Sequence, residues 1–558
     1  MRIGLVLVHG VGEQRRFDHL CAEVKSFVAA LSTVPNLKVT VETRNSQDAE
    51  LGAAHESWRA DSSAPVKIHV KHELRGDVVC LCVHEVWWAD LDDKETLWNR
   101  FKFWLWGLGF WGVKKFSAAT LQGGQLDMQP PKFPPFKWGG DVAREIVVRA
   151  RLWTFANVFL LSALTVNVAN YVLRQLRLGQ LPLPGIEMFY QFVGDVKLYQ
   201  DRGRLQQGPL TDLGDPRRVA IRRRLVRVLV DAYRERYDRW YVLAHSLGTV
   251  VALNGLMETD HALPNYLSQE TWASLVAAHD PVIGMLPPGK ARSVEGMRPA
   301  RPAWIAANDA VLDRKILFAR LRGLVTYGSP LDKFAYLWSQ IVNINHDTAP
   351  WRPGNGERTV PFEWINVYDH TDPVSAGLEA YEGGSIPADS PKPVNLAYKA
   401  SWVLLLSHLK YLALRRDGEH VPQDQFVLRL IAWILRGDAP FQEPDPDTDR
   451  NWYRRKSGVF GLALRAPMWL VAAALLTAAL GYLGSPAILE IAKWLAGLPL
   501  LAGTGVNDFF AGLERGFAGL TLPERMLGVL VAGAAIVTLA GGVRRFLERE
   551  PRTSGGTR

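Results

Sequence analysis

The sequence predicts an α/β fold in which helices flank a mostly parallel sheet. Strand-like and helix-like segments alternate through the first hundred residues, which is typical of a parallel sheet with helical crossovers. Residues 3–8 and 240–244 are short apolar runs of the kind that form buried strands, and residues 20–31 have apolar side chains at helical spacing. The chain has 558 residues, of which 48% are hydrophobic and 22% are charged, so it is long enough for more than one domain.

Other segments extend this pattern. Further strands are predicted at residues 37–41, 78–83, 324–327 and 364–368. A helix is predicted after Asp215, a good N-cap, with Pro216 at its first position. Its apolar stripe predicts a buried face formed by Ile221, Leu225, Val228, Leu229 and Ala232. Four arginines fall mainly off this stripe, and we expect them on a solvated face or, alternatively, against anionic lipid: Arg222, Arg223, Arg224 and Arg227.

Two regions depart from the α/β pattern. Residues 101–175 contain an aromatic, glycine-rich stretch and an uncharged run, and they are predicted to insert a cap at a membrane surface between two core parts, 1–100 and 176–440. In residues 441–558, two uncharged stretches at 466–484 and 526–543 approach the length that crosses a bilayer. Basic residues flank their outer ends, which predicts a helical membrane hairpin with the preceding domain on the cytoplasmic side.

Charge and cysteine content limit the classes of partner and cofactor that are expected. The net charge of +9 favours an anionic partner, and because no nucleic-acid-binding motif accompanies it, we expect a membrane surface rather than nucleic acid. The three cysteines, Cys21, Cys80 and Cys82, lack zinc or haem spacing, so no metal or organic cofactor is predicted. Cys80 and Cys82 lie two apart on a predicted strand, which places both side chains on one face.

The clearest chemical signal is Ser246 in the segment Ala244-His-Ser-Leu-Gly248. An apolar strand precedes this serine and an apolar helix follows it. A sharp strand–serine–helix turn needs small residues at positions 244 and 248, and it lifts the serine hydroxyl above the sheet as a nucleophile. Ser329 is not expected to play this part, because Pro330 follows it and offers no backbone N–H.

A serine nucleophile also needs backbone N–H groups to stabilise the oxyanion. Leu247 is predicted to supply one of them, because it directly follows the nucleophile. The loop after the first strand, His9-Gly10-Val11-Gly12, is placed to supply the other through Val11. Gly10 would allow close approach of the backbone, and His9 is expected to be structural.

The base and the acid are predicted from chain order. When the nucleophile lies on such a turn, the acid and then the histidine follow it in chain order. This order leaves His408 and His420 as candidate bases. His408 is favoured because His420 lies in a polar segment that is typical of an exposed loop. Asp372 and Asp369 both follow a predicted strand, and Asp372 is favoured as the acid.

Together these motifs resemble the α/β-hydrolase lipases and esterases. They are most similar to the inositol-deacylase-like and lipase-like groups, several of which are membrane-associated, over residues 1–100 and about 185–435. The resemblance implies hydrolysis of a lipid or other acyl ester through an acyl-enzyme, without a cofactor: Ser246 attacks, His408 transfers the proton and Asp372 orients the imidazole. A thioesterase, an acyltransferase and a catalytically silent membrane scaffold remain alternatives. The segments carrying the resemblance are 9–12, 244–248, 327–330, 369–373 and 407–411.

Overall fold

Eight strands form one sheet with the order β10-β9-β8-β5-β1-β4-β3-β2 in the computed structural model. The six strands from β10 to β4 run parallel, whereas β3 pairs antiparallel with both β4 and β2. Two short strands, β6 and β7, form a separate antiparallel pair. The strands are β1 Arg2–Val8, β2 Leu37–Glu42, β3 Val66–His72, β4 Val78–Val86, β5 Arg239–His245, β6 Ile283–Met285, β7 Ala310–Leu312, β8 Leu321–Tyr327, β9 Glu363–Tyr368 and β10 Pro393–Ala397.

Eight α-helices and one 3₁₀-helix at Leu263–Tyr266 are found within the described residues. The α-helices are α1 Asp18–Leu31, α2 Arg217–Arg234, α3 Gly248–Leu256, α4 Gln269–Ala277, α5 Arg314–Leu317, α6 Leu331–Leu337, α7 Leu406–Leu409 and α8 Phe426–Arg436. The structure describes residues 1–10, 17–42, 65–74, 76–88, 91, 199, 214–286, 298–305, 309–337, 342, 362–372, 374–378, 381, 392–401, 406–416, 420–437, 439–445, 448–449 and 451–453. All of them belong to one compact unit of the chain, composed of Met1–Lys94, Lys115–Pro135 and Glu187–Gly461.

Helices cover both faces of the sheet. Ile3, Leu5 and Leu7 of β1 belong to a buried core that also contains apolar residues of α1 and α8. The alternate residues of β1 point to the opposite face, because successive side chains of a strand alternate. There α2 and α3 pack against β1 and against each other. The predicted α/β fold with a mostly parallel sheet is therefore confirmed.

The edge formed by β2, β3 and β4 differs from the expectation. The predicted strands at 37–41 and 78–83 exist, but they are joined through β3 in antiparallel pairs rather than by a parallel crossover. Two strands of the sheet were not predicted: β3, in which buried Ile68 and Val70 alternate with less buried residues, and β10, which has only five residues. Cys80 and Cys82 lie on one face, as predicted, with their sulfur atoms 3.5 Å apart.

Helix α2 confirms one prediction and corrects two. Its apolar stripe is buried as expected. Asp215 does not cap the helix, because Pro216 occupies that position and the Asp215 carboxylate instead accepts a hydrogen bond from Arg223. Arg222 and Arg223 are buried rather than solvated, since Arg222 donates to the buried Glu258 carboxylate at 2.8 Å. Ion pairing makes these positions tolerable for arginine, which polarity alone would assign to the surface.

The predicted cap at 101–175 and the apolar stretches at 466–484 and 526–543 lie outside the described residues. No helix within the described ranges combines the length and apolarity that a bilayer span requires. The described part of residues 441–453 packs on the sheet domain, where Trp452 is buried and forms a β-bridge with Tyr398.

Candidate active site

Ser246 occupies the turn between β5 and α3. The strand ends at His245, the helix begins at Gly248, and Ser246 has a φ of 53°. This left-handed conformation is unfavourable for a residue with a side chain, and such strain is concentrated at functional sites. The Ser246 N–H donates to the carbonyl of Tyr327 on β8 at 3.1 Å, which ties the turn to the neighbouring strand.

Two glycines leave the space that this turn needs. A Cβ atom at Gly10 would clash with Cβ of Ser246 and lie 3.2 Å from its Oγ. A Cβ atom at Gly248 would clash with the backbone carbonyls of Val8 and His9. The end of β1 therefore passes directly beside the serine, so the predicted close approach at Gly10 and small-residue requirement at position 248 are both met.

His408 on α7 connects Ser246 to Asp372. Its Nε2 lies 2.8 Å from Ser246 Oγ, and its Nδ1 lies 2.8 Å from Asp372 Oδ2. Since an ionised carboxylate only accepts hydrogen bonds, Nδ1 carries the proton and Nε2 is left to accept from the serine hydroxyl. All three side chains are buried. An imidazole in this position can remove the hydroxyl proton when the serine attacks an electrophile.

Asp372 is held as a carboxylate by its surroundings. Burial alone would raise its pKa, but His408, the Val374 N–H and the Tyr411 hydroxyl outweigh this and lower the pKa. The Val374 N–H donates to Oδ1, and Tyr411 donates to Oδ2, each at 2.8 Å. The group is thus charged at neutral pH and can stabilise a positive imidazolium beside it.

The competing candidates have other positions. Asp369 accepts hydrogen bonds from the backbone N–H groups of Ala400 at 2.7 Å and Thr371 at 2.8 Å, so its carboxylate braces the loops after β9 and β10. Burial raises the pKa of Asp369. His420 is exposed, whereas the serine, His408 and Asp372 are buried. It is therefore Asp372 and His408 that the fold brings to Ser246.

One of the two predicted oxyanion donors, Leu247, lies within the described residues. Leu247 directly precedes α3, and the N–H groups at the start of a helix have no carbonyl partner within that helix. Val11 lies outside the described residues. His9 Nε2 accepts from the Trp88 N–H at 3.1 Å, so its Nδ1–H donates to Gly10 O at 2.9 Å. Burial lowers the pKa of His9 to about 3, which keeps this ring neutral in a bracing position.

Two residues of the site were not singled out from the sequence. The Tyr411 hydroxyl accepts from the Asp369 N–H at 2.9 Å while it donates to Asp372, so it joins both aspartates. His245 donates from Nε2 to the backbone carbonyl of His408 at 2.8 Å. Tyr411 follows His408 by three residues and His245 precedes Ser246 by one, so proximity in sequence was the available signal.

Ser329 lies close to this site in a supporting position. Its hydroxyl contacts Thr249 Oγ1 at 2.9 Å and accepts from the Leu331 N–H at 3.2 Å.

Within the described part of the chain, no group of three or more histidine, cysteine, aspartate or glutamate side chains is arranged to hold a metal ion. Comparisons of this chain with protein-family models, with curated proteins and with solved structures each found no match.

Proposed function

We propose that this chain is a serine hydrolase of the α/β-hydrolase type that cleaves carboxylic esters through an acyl-enzyme. The observation that supports this proposal is the hydrogen-bonded series from Ser246 through His408 to Asp372, with 2.8 Å for each link. In the first step, Ser246 Oγ attacks the ester carbonyl while His408 Nε2 takes the hydroxyl proton. The alcohol leaves with that proton, and water then attacks the acyl-serine by the same route to release the acid.

The surrounding groups would stabilise the charges that develop. The Asp372 carboxylate offsets the positive charge of His408 when it holds the proton. The Leu247 N–H is the first donor to the oxyanion, and Val11 is the proposed second donor. Removal of one such donor typically slows the chemical step by about 100–1000-fold.

We further propose that the substrate is a lipid acyl ester and that the chain is attached to a membrane with this domain facing the cytoplasm. The support is the net charge of +9 together with the uncharged stretches at 466–484 and 526–543. Alkaline carbonate extraction of membranes from cells that express the intact chain tests the attachment. The chain should stay in the membrane pellet, and its release into the supernatant would contradict the proposal.

A fluorophosphonate probe tests the nucleophile. The intact chain should be labelled, and Ser246→Ala should abolish labelling because the probe reacts with an activated serine hydroxyl. Ser329→Ala is the matched control, since it removes another buried serine hydroxyl that follows a strand end, and it should still be labelled. Equal labelling of Ser246→Ala and the intact chain would refute the proposal, and absence of any labelling would favour a silent scaffold.

A panel of lipid esters, offered with and without an alcohol acceptor, then tests the reaction. Free acid should accumulate in both cases for the intact chain and in neither for Ser246→Ala. Appearance of a new ester in place of free acid would instead assign an acyltransferase, because another nucleophile would then resolve the same acyl-enzyme.

A further inference from the structure

His245 contacts the backbone of the proposed base, and the proposed mechanism gives it no task. It is the last residue of β5 and directly precedes Ser246. Its ring is buried, and its Nε2 lies 2.8 Å from the backbone carbonyl oxygen of His408. Because a carbonyl oxygen only accepts hydrogen bonds, Nε2 carries the proton and donates.

This bond acts on a short element that needs an external anchor. Helix α7, which carries His408, has only four residues, Leu406–Leu409. The last four carbonyl groups of any helix lack a partner within the helix, and a single isolated turn has little stability of its own. The bond from His245 satisfies the carbonyl of the very residue whose side chain faces Ser246.

The His245 ring is closely surrounded by the same groups. Its centroid lies 4.8 Å from that of the His408 ring and 5.0 Å from that of Tyr327, on which it stacks. A Cβ atom at Gly328 would lie 3.2 Å from His245 Nε2 and 3.1 Å from His408 Cε1, so both imidazoles lie against this backbone. Neither ring has much room to turn.

The electrostatic surroundings keep His245 neutral. Burial, followed by the nearby imidazoles of His408 and His19, lowers its pKa well below the usual value. A neutral ring does not repel His408 when His408 takes up a proton. The ring therefore offers one N–H throughout the catalytic cycle.

We propose that His245 is a positioning residue that sets the distance between His408 Nε2 and Ser246 Oγ through its hydrogen bond to the His408 carbonyl. The inference rests on the proposed function, since it assigns a task within that reaction. Because His245 and Ser246 are adjacent at the end of β5, one strand end holds both the nucleophile and the base. A displacement of this strand end would move both groups together and preserve their spacing.

His245→Gln and His245→Met form a matched pair that tests this proposal. Their side chains have similar length and volume, but only glutamine can donate an N–H to the His408 carbonyl. For hydrolysis of a short soluble ester, His245→Met should lower kcat by about 30-fold with KM unchanged, because a misplacement of about 1 Å in the reacting groups can cost about 100-fold. His245→Gln should retain kcat within about threefold of the intact chain, since it restores the donor.

Equal kcat in the two variants, with folding verified by Tm, would overturn the proposal. The unmutated protein supplies a measurement that does not depend on whether either variant folds, namely the tautomer of the His245 ring from ¹⁵N chemical shifts. Protonation at Nε2 is expected, and protonation at Nδ1 alone would overturn the assignment. These failures differ from failure of the proposed function, in which the intact chain would hydrolyse no ester or Ser246→Ala would remain active.

Discussion

Gly10 offers a direct test of how closely the end of β1 approaches Ser246. In Gly10→Ala the new Cβ atom would lie less than 3.0 Å from Ser246 Cβ, 3.1 Å from the His245 carbonyl oxygen and 3.2 Å from Ser246 Oγ. Non-bonded carbons pack at about 3.5–4.0 Å, so the serine and the end of β1 must separate by roughly 1 Å. A displacement of that size can cost about 100-fold in rate, which corresponds to about 2.7 kcal/mol of activation free energy.

Hydrolysis of a short soluble nitrophenyl ester measures the effect through kcat, with Tm recorded on the same preparations. We expect kcat of Gly10→Ala to fall by about 100-fold, together with a loss of about 1–3 kcal/mol of stability from overpacking. Gly284→Ala is the control, because among the described residues its Cβ atom would meet Val311 Cγ2 of β7, at 3.3 Å, and its kcat should be unchanged. A Gly10→Ala variant with kcat within threefold of the intact chain and an unchanged Tm would refute the steric reasoning.

Two further substitutions test the supporting groups. Tyr411→Phe removes the hydroxyl shared by Asp369 and Asp372, and it should cost about 1–3 kcal/mol in guanidinium unfolding and about tenfold in kcat. Tyr381→Phe is the control, because it removes a buried hydroxyl that is bonded to a backbone carbonyl, and it should lower stability only. Equal losses of kcat in the two variants would contradict this expectation. The second substitution concerns His9, whose pKa is lowered to about 3 mainly by burial. Between about pH 6.5 and 3 the unfolded chain therefore holds a proton that the folded chain lacks. The free energy of unfolding decreases by about 1.4 kcal/mol for each unit by which the pH is lowered in this range. Unfolding free energies at pH 6, 5 and 4 should therefore fall less steeply in His9→Gln than in the intact chain, by about 1.4 kcal/mol per pH unit, and parallel pH dependences would contradict the assignment.

The sheet was predictable where each strand carries its own signal. The central strands β1, β5, β8 and β9 are short, mostly apolar runs because both of their faces are buried, and a doubly buried strand is largely apolar. Strand β3 lies toward the edge and pairs antiparallel, so only part of it is buried and its apolar run is broken.

The burial of polar residues was the weakest part of the sequence prediction. Arg222 is assigned to the surface by polarity, yet in the fold it faces Glu258, which lies 36 residues further along the chain and is also paired with Arg298. Asp215 has the residue type of an N-cap, but Pro216 occupies the N-cap position and the Asp215 carboxylate accepts a hydrogen bond from Arg223 instead. In both cases a partner that no local pattern specifies decides where the charge lies.

The sequence by itself determined the local chemistry of the site: a serine on a strand–helix turn, small residues at positions 10 and 248, and an acid and a histidine further along the chain. Those requirements act over a few neighbouring residues, so residue type and order are enough to express them. Only the tertiary structure decided that Asp372 rather than Asp369 meets His408, and that Tyr411 and His245 donate hydrogen bonds to the Asp372 carboxylate and the His408 carbonyl. These bonds join residues from 36 to 163 positions apart, and their geometry depends on how separate elements pack against the sheet.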